Sequence, residues 1–538
     1  MYHLRVEVTM EVWKYPAVST ENAGYEGEFL TTDKTTRRQA FTLGSIAVGI
    51  GIFVGELTSN LHSAWKSPVD TLGNWIISVI PHFVESFAIK LFRTHDKGFL
   101  VATILFVALI LGGLAGDLLF RGKREIAYAI VLLETIFNVF TVLARPHAGV
   151  TAIVPSLISG LAITLVLYFS LGRTKVKQPE INSPTELKSR RQVLKFAGGA
   201  GVLGGLMLLS GQTVKTHSLN VIKRLAIKLP DATHSLPPLP ADPASTIRGL
   251  SPLITPNNDF YQIDTAINAP IIDVETWSLT INGMVKNPIT LTYADLLKRP
   301  LFELDDTMTC VSNPVGGNLV GNARWLGCRL DDLIREAGPL SSADQILSSS
   351  SDGFGAGFPL NLLDGRDAMI AVGMNGQPLP IRHGFPARVI VPGLYGYVSA
   401  TKWLTNIELT RFDLKQGFWI SRGWSQLGPI KMESRIDFPI DGASIPAGKL
   451  RFAGVAWAPL SGIASVQLGI DGAWKNATLG PALSGTTWRQ WWFDWDTTVG
   501  SHLVQVRAVS VSGQVQTQTI ADTAPNGASG WHSINISV

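Results

Sequence analysis

Four stretches of this chain, residues 41–57, 99–120, 126–144 and 150–171, stay apolar over roughly the 20 residues that an α-helix needs to cross a bilayer. In lipid every backbone amide must find its partner inside the protein, so an apolar run of that length is expected as a helix and not as a lone strand or loop. A fifth run, residues 196–214, is shorter and rich in glycine. These runs explain the positive mean hydropathy (+0.22) and the low charged fraction (16%), because the second half carries ordinary polar loops and many prolines. At 538 residues the chain exceeds one ordinary domain. The expected organisation is an all-α transmembrane region followed by soluble units.

Basic residues set the expected orientation. Lys34, Arg37 and Arg38 precede the first run, and Arg121, Lys123 and Arg124 follow the second. Arg173, Lys175, Lys177, Lys188, Arg190 and Arg191 lie between the fourth and the fifth. Positively charged loops stay in the cytoplasm, which all three groups satisfy if the chain crosses five times and everything after residue 214 lies outside. Lys90, Arg93 and Lys97 dissent. They adjoin a sixth apolar stretch in which Leu72, Trp75, Ile76, Val79, Ile80, Phe83, Phe87 and Leu91 recur at helical spacing. His82, Glu85 and Lys90 interrupt it, the pattern of a helix lying along the outer interface; a spanning helix here would turn the cytoplasmic groups outward.

The run Ser189-Arg-Arg-Gln-Val-Leu-Lys-Phe196 leads into the fifth apolar stretch and resembles a twin-arginine export signal, the route of proteins that cross already folded. The alternative is a pair of arginines anchoring a helix end, the role read for Arg37 and Arg38. The expected division is a cytoplasmic tail at 1–39 and a four-helix transmembrane region with its interfacial helix at 40–172. A basic cytoplasmic segment with the twin-arginine signal follows at 173–195, then a fifth transmembrane helix at 196–214 and a proline-rich linker at 215–249. This reading places the chain in a bacterial cytoplasmic membrane with its soluble part on the extracytoplasmic side.

Beyond the linker, strand signals (Trp277-Ser-Leu-Thr-Ile281, Arg388-Val-Ile-Val391) mix with helical ones at 293–298 and 330–337, and predict an α+β unit over 250–430. From residue 431 onward short alternating strands recur between turns, as in Ser465-Val-Gln-Leu-Gly-Ile470 and Leu503-Val-Gln-Val-Arg-Ala508, and predict a β-sandwich over 431–538. Trp488, Trp491, Trp492 and Trp495 crowd one stretch of it. Because Trp491, Phe493 and Trp495 alternate at strand period, core and subunit-contact packing is preferred to a sugar-stacking platform. Net charge is +4 with a pI near 8.9, but the basic residues gather beside apolar runs, so no nucleic-acid partner is expected.

Two cysteines without a CxxC pair exclude a disulfide scaffold and a zinc or thioredoxin-like centre. One of them stands in Asp305-Asp-Thr-Met-Thr-Cys-Val-Ser-Asn-Pro-Val-Gly-Gly-Asn318, ahead of a glycine-rich turn. Three readings are open for Cys310. It is a small buried hydrophobe, or half of a disulfide to Cys328 in an oxidising exterior, or a thiolate ligand to a soft or high-valent metal. In the last case most of the ligands must arrive on a cofactor, because no Cys or His set stands nearby.

Six pieces follow one another along the soluble half: Thr255-Pro-Asn-Asn-Asp-Phe-Tyr261, Trp277-Ser-Leu-Thr-Ile-Asn-Gly283, Met308-Thr-Cys-Val-Ser-Asn313, Asn375-Gly-Gln-Pro-Leu-Pro380, His383-Gly-Phe-Pro-Ala-Arg-Val-Ile-Val-Pro-Gly393 and Lys402-Trp-Leu404. In that order they resemble the sulfite oxidase family of molybdenum enzymes, over about residues 250–538. The resemblance implies a molybdopterin-binding domain followed by an immunoglobulin-like dimerisation domain, with Mo-molybdopterin as cofactor. It makes Cys310 the protein's one metal ligand and its catalytic residue, the other sulfurs coming from the pterin dithiolene. A metal alternating between oxidation states suits a fixed thiolate donor that deprotonates readily. Gly316-Gly317 would let the backbone pass close to the cofactor, and Cys328 is left as a buried thiol.

The resemblance further implies that the pterin is held by Asn257 or Asn258 and Tyr261, by His383 and Arg388, and by Thr401 and Lys402. The planar fork of Arg388 matches the pterin phosphate, and Lys402 adds a point charge. The competing readings are an ion pair for Arg388 and a structural role for His383. Gly353-Phe-Gly-Ala-Gly357 lacks the third-glycine spacing of a dinucleotide fingerprint and is read as a turn lining the cofactor cleft.

The chain departs from this family where sulfite would bind. The arginines expected just after the ligand cysteine and around Asn257 are absent, Arg324 and Arg382 being the nearest but out of position. The tyrosine expected shortly before Trp419 is missing from Lys415-Gln-Gly-Phe-Trp419. Fewer cations weaken the binding of a small dianion more than that of a neutral sulfoxide. The expected function is therefore a membrane-anchored, externally facing oxidoreductase moving an oxygen atom between water and a small-molecule substrate. Sulfoxide-type reduction on the same centre and a non-enzymatic membrane-tethered binding module are the alternatives. No histidine lies within the five apolar runs, so electrons are expected to pass to or from an external carrier, a cytochrome or a quinone-linked protein. A homodimer through the C-terminal unit is expected. Glu134 and Asn138, near mid-span, are read as a helix-to-helix hydrogen bond, with a functional acid as the alternative.

Overall fold

The computed structural model describes residues 23–61, 65–80, 84, 96–145, 149–172 and 219–538. The twin-arginine run and the fifth apolar run lie outside these residues, as does most of the expected interfacial helix beyond Ile80. The described chain divides into two compact units. One falls within Met1–Gly55, Val101–Phe137 and Ser156–Met207, the other within Glu56–Leu100, Asn138–Pro155 and Leu208–Val538.

Among the described residues, the α-helices before residue 173 that matter here are α1 (Ala23–Ser59), α2 (Pro68–Val79), α3 (Asp96–Phe120), α4 (Arg124–Leu143) and α5 (Val154–Leu167). The stretches Arg37–Ser59, Lys97–Phe120, Arg124–Leu143 and Val150–Leu171 are long and apolar enough to cross a membrane, matching the first four predicted runs. In the first unit α1 and α3 meet backbone to backbone. A Cβ on Gly44 would lie 2.1 Å from the Gly112 carbonyl oxygen, and one on Gly116 2.2 Å from that of Ala40. Lipid supplies no hydrophobic drive between helices, so small residues and close van der Waals contact hold such crossings. Ala47, Val48, Ala115 and Leu119 form the buried seam with Val131 and Ile163, while Phe106, Leu132, Leu133 and Ile136 stay exposed. At the same end of the unit Asp117 is paired with Arg37 (3.0 Å) and Arg121.

In the second unit, the connection from α1 to α3 contains α2. Ser67 caps it, its hydroxyl oxygen accepting from the Asp70 amide (3.0 Å), and Pro68 opens its first turn. Val69, Thr71 and Gly73 are buried. Of the apolar positions read as an interfacial face, Trp75 packs edge-on to Phe140 (6.1 Å between centroids) and Val79 is exposed.

The α+β part contains β1 (Ser278–Gly283), β2 (Ile289–Thr292), β3 (Leu301–Thr309), β4 (Val320–Arg329), β5 (Gln345–Ser350), β6 (Gly355–Pro359), β7 (Met369–Met374), β8 (Gln377–Pro378), β9 (Arg388–Ile390) and β10 (Leu404–Thr410). One sheet runs β2-β1-β10-β5-β6. The other runs β3-β4-β7-β8, with β9 also on β7. Leu279, Ile281, Leu333, Ile346, Phe358 and Ile407 belong to the main core. β3 and β4 pair antiparallel from Leu301↔Cys328 to Thr309↔Val320. Almost every residue of β3 is buried, including Asp305 and Asp306.

The C-terminal part is β-rich: β11 (Glu433–Phe438), β12 (Ala443–Ser444), β13 (Lys449–Trp457), β14 (Ile463–Ile470), β15 (Ala473–Asn476), β16 (Thr478–Leu479), β17 (Arg489–Asp496), β18 (Ser501–Ser510) and β19 (His532–Ser537). They form two sheets, β11-β13-β17-β16 and β12-β19-β18-β14-β15. Phe452 and Trp491 of the first share a core with Val466, Val504, Val506 and Ile534 of the second. Phe493 and Trp495 pack against that core, as their alternation predicts. Trp488 joins Val320 of β4 in a separate cluster, and Trp492 packs against Ile247 and Leu250, so these two tie the β-rich part to the α+β part and to its entering arm.

Candidate active site

Cys310 immediately follows β3. Its amide donates to the Leu319 carbonyl (2.9 Å) and its carbonyl accepts from Asn313 N (3.0 Å), which turns the chain back into β4. Both cysteines are free thiols, so the disulfide reading is set aside. Cys328 lies in the core, where burial pushes its thiol up to about 12. Cys310 is 8% exposed and borders a cavity of about 450 Å3.

The cavity forms where strand ends converge: Met308 and Cys310 at the end of β3, Ser350 at the end of β5, Arg388 opening β9, and Lys402 and Trp403 just ahead of β10. The loop carrying Phe260, Tyr261 and Asp264 lines it too, as do Tyr397, Trp419 and Trp424 and, from the β-rich part, Asp522, Thr523 and Ala524.

The Gly316-Gly317 turn is not part of this wall. A Cβ on Gly316, at φ +75°, would strike the His532 ring of β19 at 2.3 Å, and one on Gly317 would meet Asn313 and Pro314 of its own turn. The glycines serve a close approach to the β-rich part, not to a cofactor. Burial holds the Cys310 thiol above the usual range, with hydrogen bonds from the Ser312 amide and hydroxyl opposing. A cation drawn to the sulfur would favour loss of the proton.

Arg388 is 4% exposed and forms no salt bridge to a carboxylate among the described residues, although the buried Asp306 acts on it electrostatically. Its guanidinium donates to the His383 carbonyl (3.1 Å) and weakly to the Ala400 carbonyl (3.5 Å), and lies 5.0 Å over the Trp325 ring. Its Nε–H has no acceptor. The strand ion pair is therefore not what the structure forms. Burial lowers the pKa to about 10, which leaves the group cationic at neutral pH. A buried guanidinium with a spare donor calls for an anion.

Lys402 is 9% exposed; its ammonium pairs with Asp264 (2.7 Å) and sits 4.5 Å from the Trp403 ring centroid. Trp403 holds a positive φ of 50° and anchors its indole N–H on the Ile381 carbonyl (2.7 Å), a strained conformation of the kind that gathers at functional sites. Gly384 threads between the two cations at φ +108°: a Cβ there would come 3.0 Å from Lys402 Cα and 3.2 Å from Arg388 Cβ.

His383 lines the cavity, and its Nε2–H donates to the Asn257 carbonyl (2.7 Å), leaving Nδ1 as an acceptor. Burial drives its pKa down to about 4, so the ring is neutral. Of the predicted site residues, Cys310, Tyr261, His383, Arg388 and Lys402 thus share one wall. Asn257 does not line the cavity but holds His383 through its backbone. Asn258 is exposed, and Thr401 is fully buried with its hydroxyl 2.7 Å from that of Ser348. Neither borders the cavity. Arg324 is committed to Asp305 through two 2.8 Å bonds, and Arg382 reaches Gln262; neither lines the cavity. In the glycine run, Phe354 lines it, whereas Gly355 to Gly357 are absorbed into β6.

Sequence reasoning missed Asp264, Met308, Ser350, Asp352, Tyr397 and Trp424. Two of these carried a signal: Met308 opens one of the quoted motifs, and Asp264 is an acid three residues beyond another. Burial pushes the carboxyl of Asp306, on β3, up to about 7, with Arg388 opposing.

Residues 266–419, which include Cys310, His383, Arg388 and Lys402, match the family described as oxidoreductase molybdopterin binding domain. The chain is 28% identical over 324 residues to the sulfite oxidase of Gallus gallus, spanning 50% of this chain and 69% of that protein. It is 31% identical over 156 residues to the uncharacterized oxidoreductase YuiH of Bacillus subtilis (strain 168), spanning 29% of this chain and 76% of that one. Among solved structures it is similar to the sulfane dehydrogenase SoxCD from Paracoccus pantotrophus, with a TM-score of 0.46 and 22% identity over 55% of this chain and 85% of that chain.

Proposed function

Because the chain belongs to the sulfite oxidase family of molybdopterin-dependent oxidoreductases, we propose that it is a membrane-anchored, externally facing enzyme that moves an oxygen atom between water and a small-molecule substrate. The family's Mo-molybdopterin supplies the redox chemistry when bound. The observation that carries the reading is a free thiol, Cys310, on the wall of a cavity that also holds a buried arginine with no salt bridge among the described residues and an unpartnered Nε–H.

The residues present fit that cofactor. Cys310 would bind the metal, and Arg388, through its spare Nε–H, the pterin phosphate. Lys402 adds a second positive charge, His383 offers Nδ1 as an acceptor, and Tyr261 contributes a hydroxyl. Phe354, Trp403, Trp419 and Trp424 limit water around these groups, which strengthens their fields.

One observation favours sulfoxide-type reduction over sulfite oxidation. Among the described residues Arg388 is the only arginine on the cavity wall, and much of the rest is aromatic. A dianion finds few partners there, whereas an uncharged sulfoxide needs only a donor and an apolar surface.

The electrons would pass to or from a cytochrome or quinone-linked carrier. The basic clusters beside the apolar runs support a cytoplasmic side opposite the catalytic part. The connections from α1 to α3 and from α4 to α5 contribute residues to the unit that holds the site, as expected if both are extracytoplasmic. Export through the twin-arginine run and an immunoglobulin-like, dimer-forming C-terminal part complete the reading.

Metal and pterin analysis of the purified chain tests it, with about one molybdenum per chain expected. Cys310→Ser should lower turnover at least roughly a hundredfold while leaving the melting temperature nearly unchanged. A chain expressed in a cofactor-competent host that carries neither metal nor pterin sinks the proposal.

A further inference from the structure

The cavity-lining loop that follows Tyr261 is gripped by residues that precede the soluble half by more than a hundred positions. Asp264 Oδ2 accepts from Lys402 Nζ at 2.7 Å, and Oδ1 accepts from Lys97 Nζ at 2.7 Å. Lys97 also donates to the Ala266 carbonyl (2.6 Å). It is the second residue of α3 and opens one of the membrane-length stretches. Next along the loop, Ile267 N donates to Asn74 Oδ1 (3.1 Å) and Asn268 Nδ2 to Asp70 Oδ1 (2.7 Å), both on α2. Between the cavity-lining Trp419 and Trp424, Arg422 donates to the Ser78 carbonyl (2.6 Å) at the end of α2. The connection between the first two membrane-length helices therefore holds two loops of the cavity wall.

Charge makes one of these contacts more than a clamp. A carboxylate serving Lys402 alone would neutralise it. Shared with Lys97, the same carboxylate leaves the triad with a net positive charge on a largely buried wall, where screening by solvent is weak. Burial disfavours the ionised Asp264, but the two ammonium groups outweigh it and hold the carboxyl below its usual range.

We propose that Lys97 is a positioning residue of the active site: by sharing Asp264 with Lys402 it fixes the Lys402 ammonium at the cavity wall and leaves the Lys97–Asp264–Lys402 triad a net positive charge beside a phosphate or oxyanion group, on a wall that also carries Asp352 and Asp522. The first turn of α3, which belongs to the same unit as the cavity, then supports a residue of the cavity wall. The anion is the phosphate of the cofactor if the substrate is an uncharged sulfoxide, and an oxyanion of the substrate if the reaction is of the sulfite type; this much rests on the proposed function.

The test uses the full-length chain in detergent with Lys97→Met and Lys97→Arg. Molybdenum and pterin per chain read the cofactor arm. The KM for sulfite against kcat, measured on the loaded fraction, reads the substrate arm. Lys97→Met should lower occupancy or raise KM by roughly threefold to tenfold with kcat changed less, and Lys97→Arg should restore either value. Equal defects in both variants, or none in either, overturn the proposal. If Lys97→Met does not assemble, Lys97→Gln keeps a donor to Asp264 without the charge and carries the same expectation. Calorimetry of inorganic phosphate on cofactor-free, full-length chain gives a readout independent of the enzyme's chemistry. Binding weakened several-fold in Lys97→Met and restored in Lys97→Arg is expected, and unchanged binding overturns the proposal. A wild-type chain without molybdenum would defeat the proposed function, while the phosphate measurement would still decide the role of Lys97.

Discussion

Arg388 and Lys402 are both buried cations at one cavity, yet the protein keeps them in different ways. Lys402 has a carboxylate beside it; Arg388 has carbonyls, a tryptophan face and an unused donor. Removing an uncompensated buried charge relieves a desolvation cost. Arg388→Met should therefore leave the thermal unfolding of cofactor-free protein unchanged or slightly raised while cofactor retention falls at least about tenfold, which metal analysis and calorimetry check together. His383 makes the opposite kind of statement. Its pKa falls from an ordinary 6.5 to about 4 on folding because burial disfavours the imidazolium. The folded state then binds fewer protons than the unfolded one, so this contribution is fully present above about pH 6.5 and is lost as pH drops toward about 4. His383→Gln should remove roughly 2–3 kcal/mol of that pH dependence, measured by denaturant unfolding of cofactor-free protein at pH 7.5 and 5. The motif around these residues was legible because it resembles, piece by piece and in order, that of a known family. Asp264 escaped, because an acid becomes part of a site only when something else brings two ammonium groups to it.

Strands and helices were legible where one physical requirement dominates. The apolar runs became α1, α3, α4 and α5 because lipid-length hydrophobicity admits few other structures. The run Arg388-Val-Ile-Val391 became β9, and Ser465-Val-Gln-Leu-Gly-Ile470 lies within β14. The function of the Gly316 turn was misread, since its close neighbour is His532, over two hundred residues away. Between α1 and α3 the pattern of small residues carries its own expectation. Gly112→Leu places a side chain where a bare Cβ already lies 2.4 Å from Val48 and 2.7 Å from the Gly44 carbonyl oxygen. The crossing should open and the first unit lose about 1–3 kcal/mol, the usual range for overpacking, seen as a lower detergent-unfolding midpoint. Gly112→Ala should show a smaller loss in the same assay.

The arrangement of the chain across a membrane can be read by labelling, because both native thiols are buried. Lys123→Cys, between α3 and α4, should react with an impermeant maleimide only when the cytoplasmic face is opened, and Lys449→Cys, on β13, only from outside. Labelling of both from one side would refute the proposed topology. The non-enzymatic binding module does not survive the comparisons, which place the chain among oxidoreductases. Composition and local pattern were enough to determine the membrane-length helices and the β-rich C-terminal part, because hydrophobic length and strand alternation are properties of neighbouring residues, while Cys310, Arg388 and Lys402 were singled out by the resemblance of ordered motifs to a known family. Tertiary structure alone decided that Asp522 to Ala524 reach the cavity, that Thr401 and Asn258 do not, and that Lys97 shares a carboxylate with Lys402. Those facts depend on which distant segments are packed together, and burial and charge pairing between such segments leave no periodic trace along the chain.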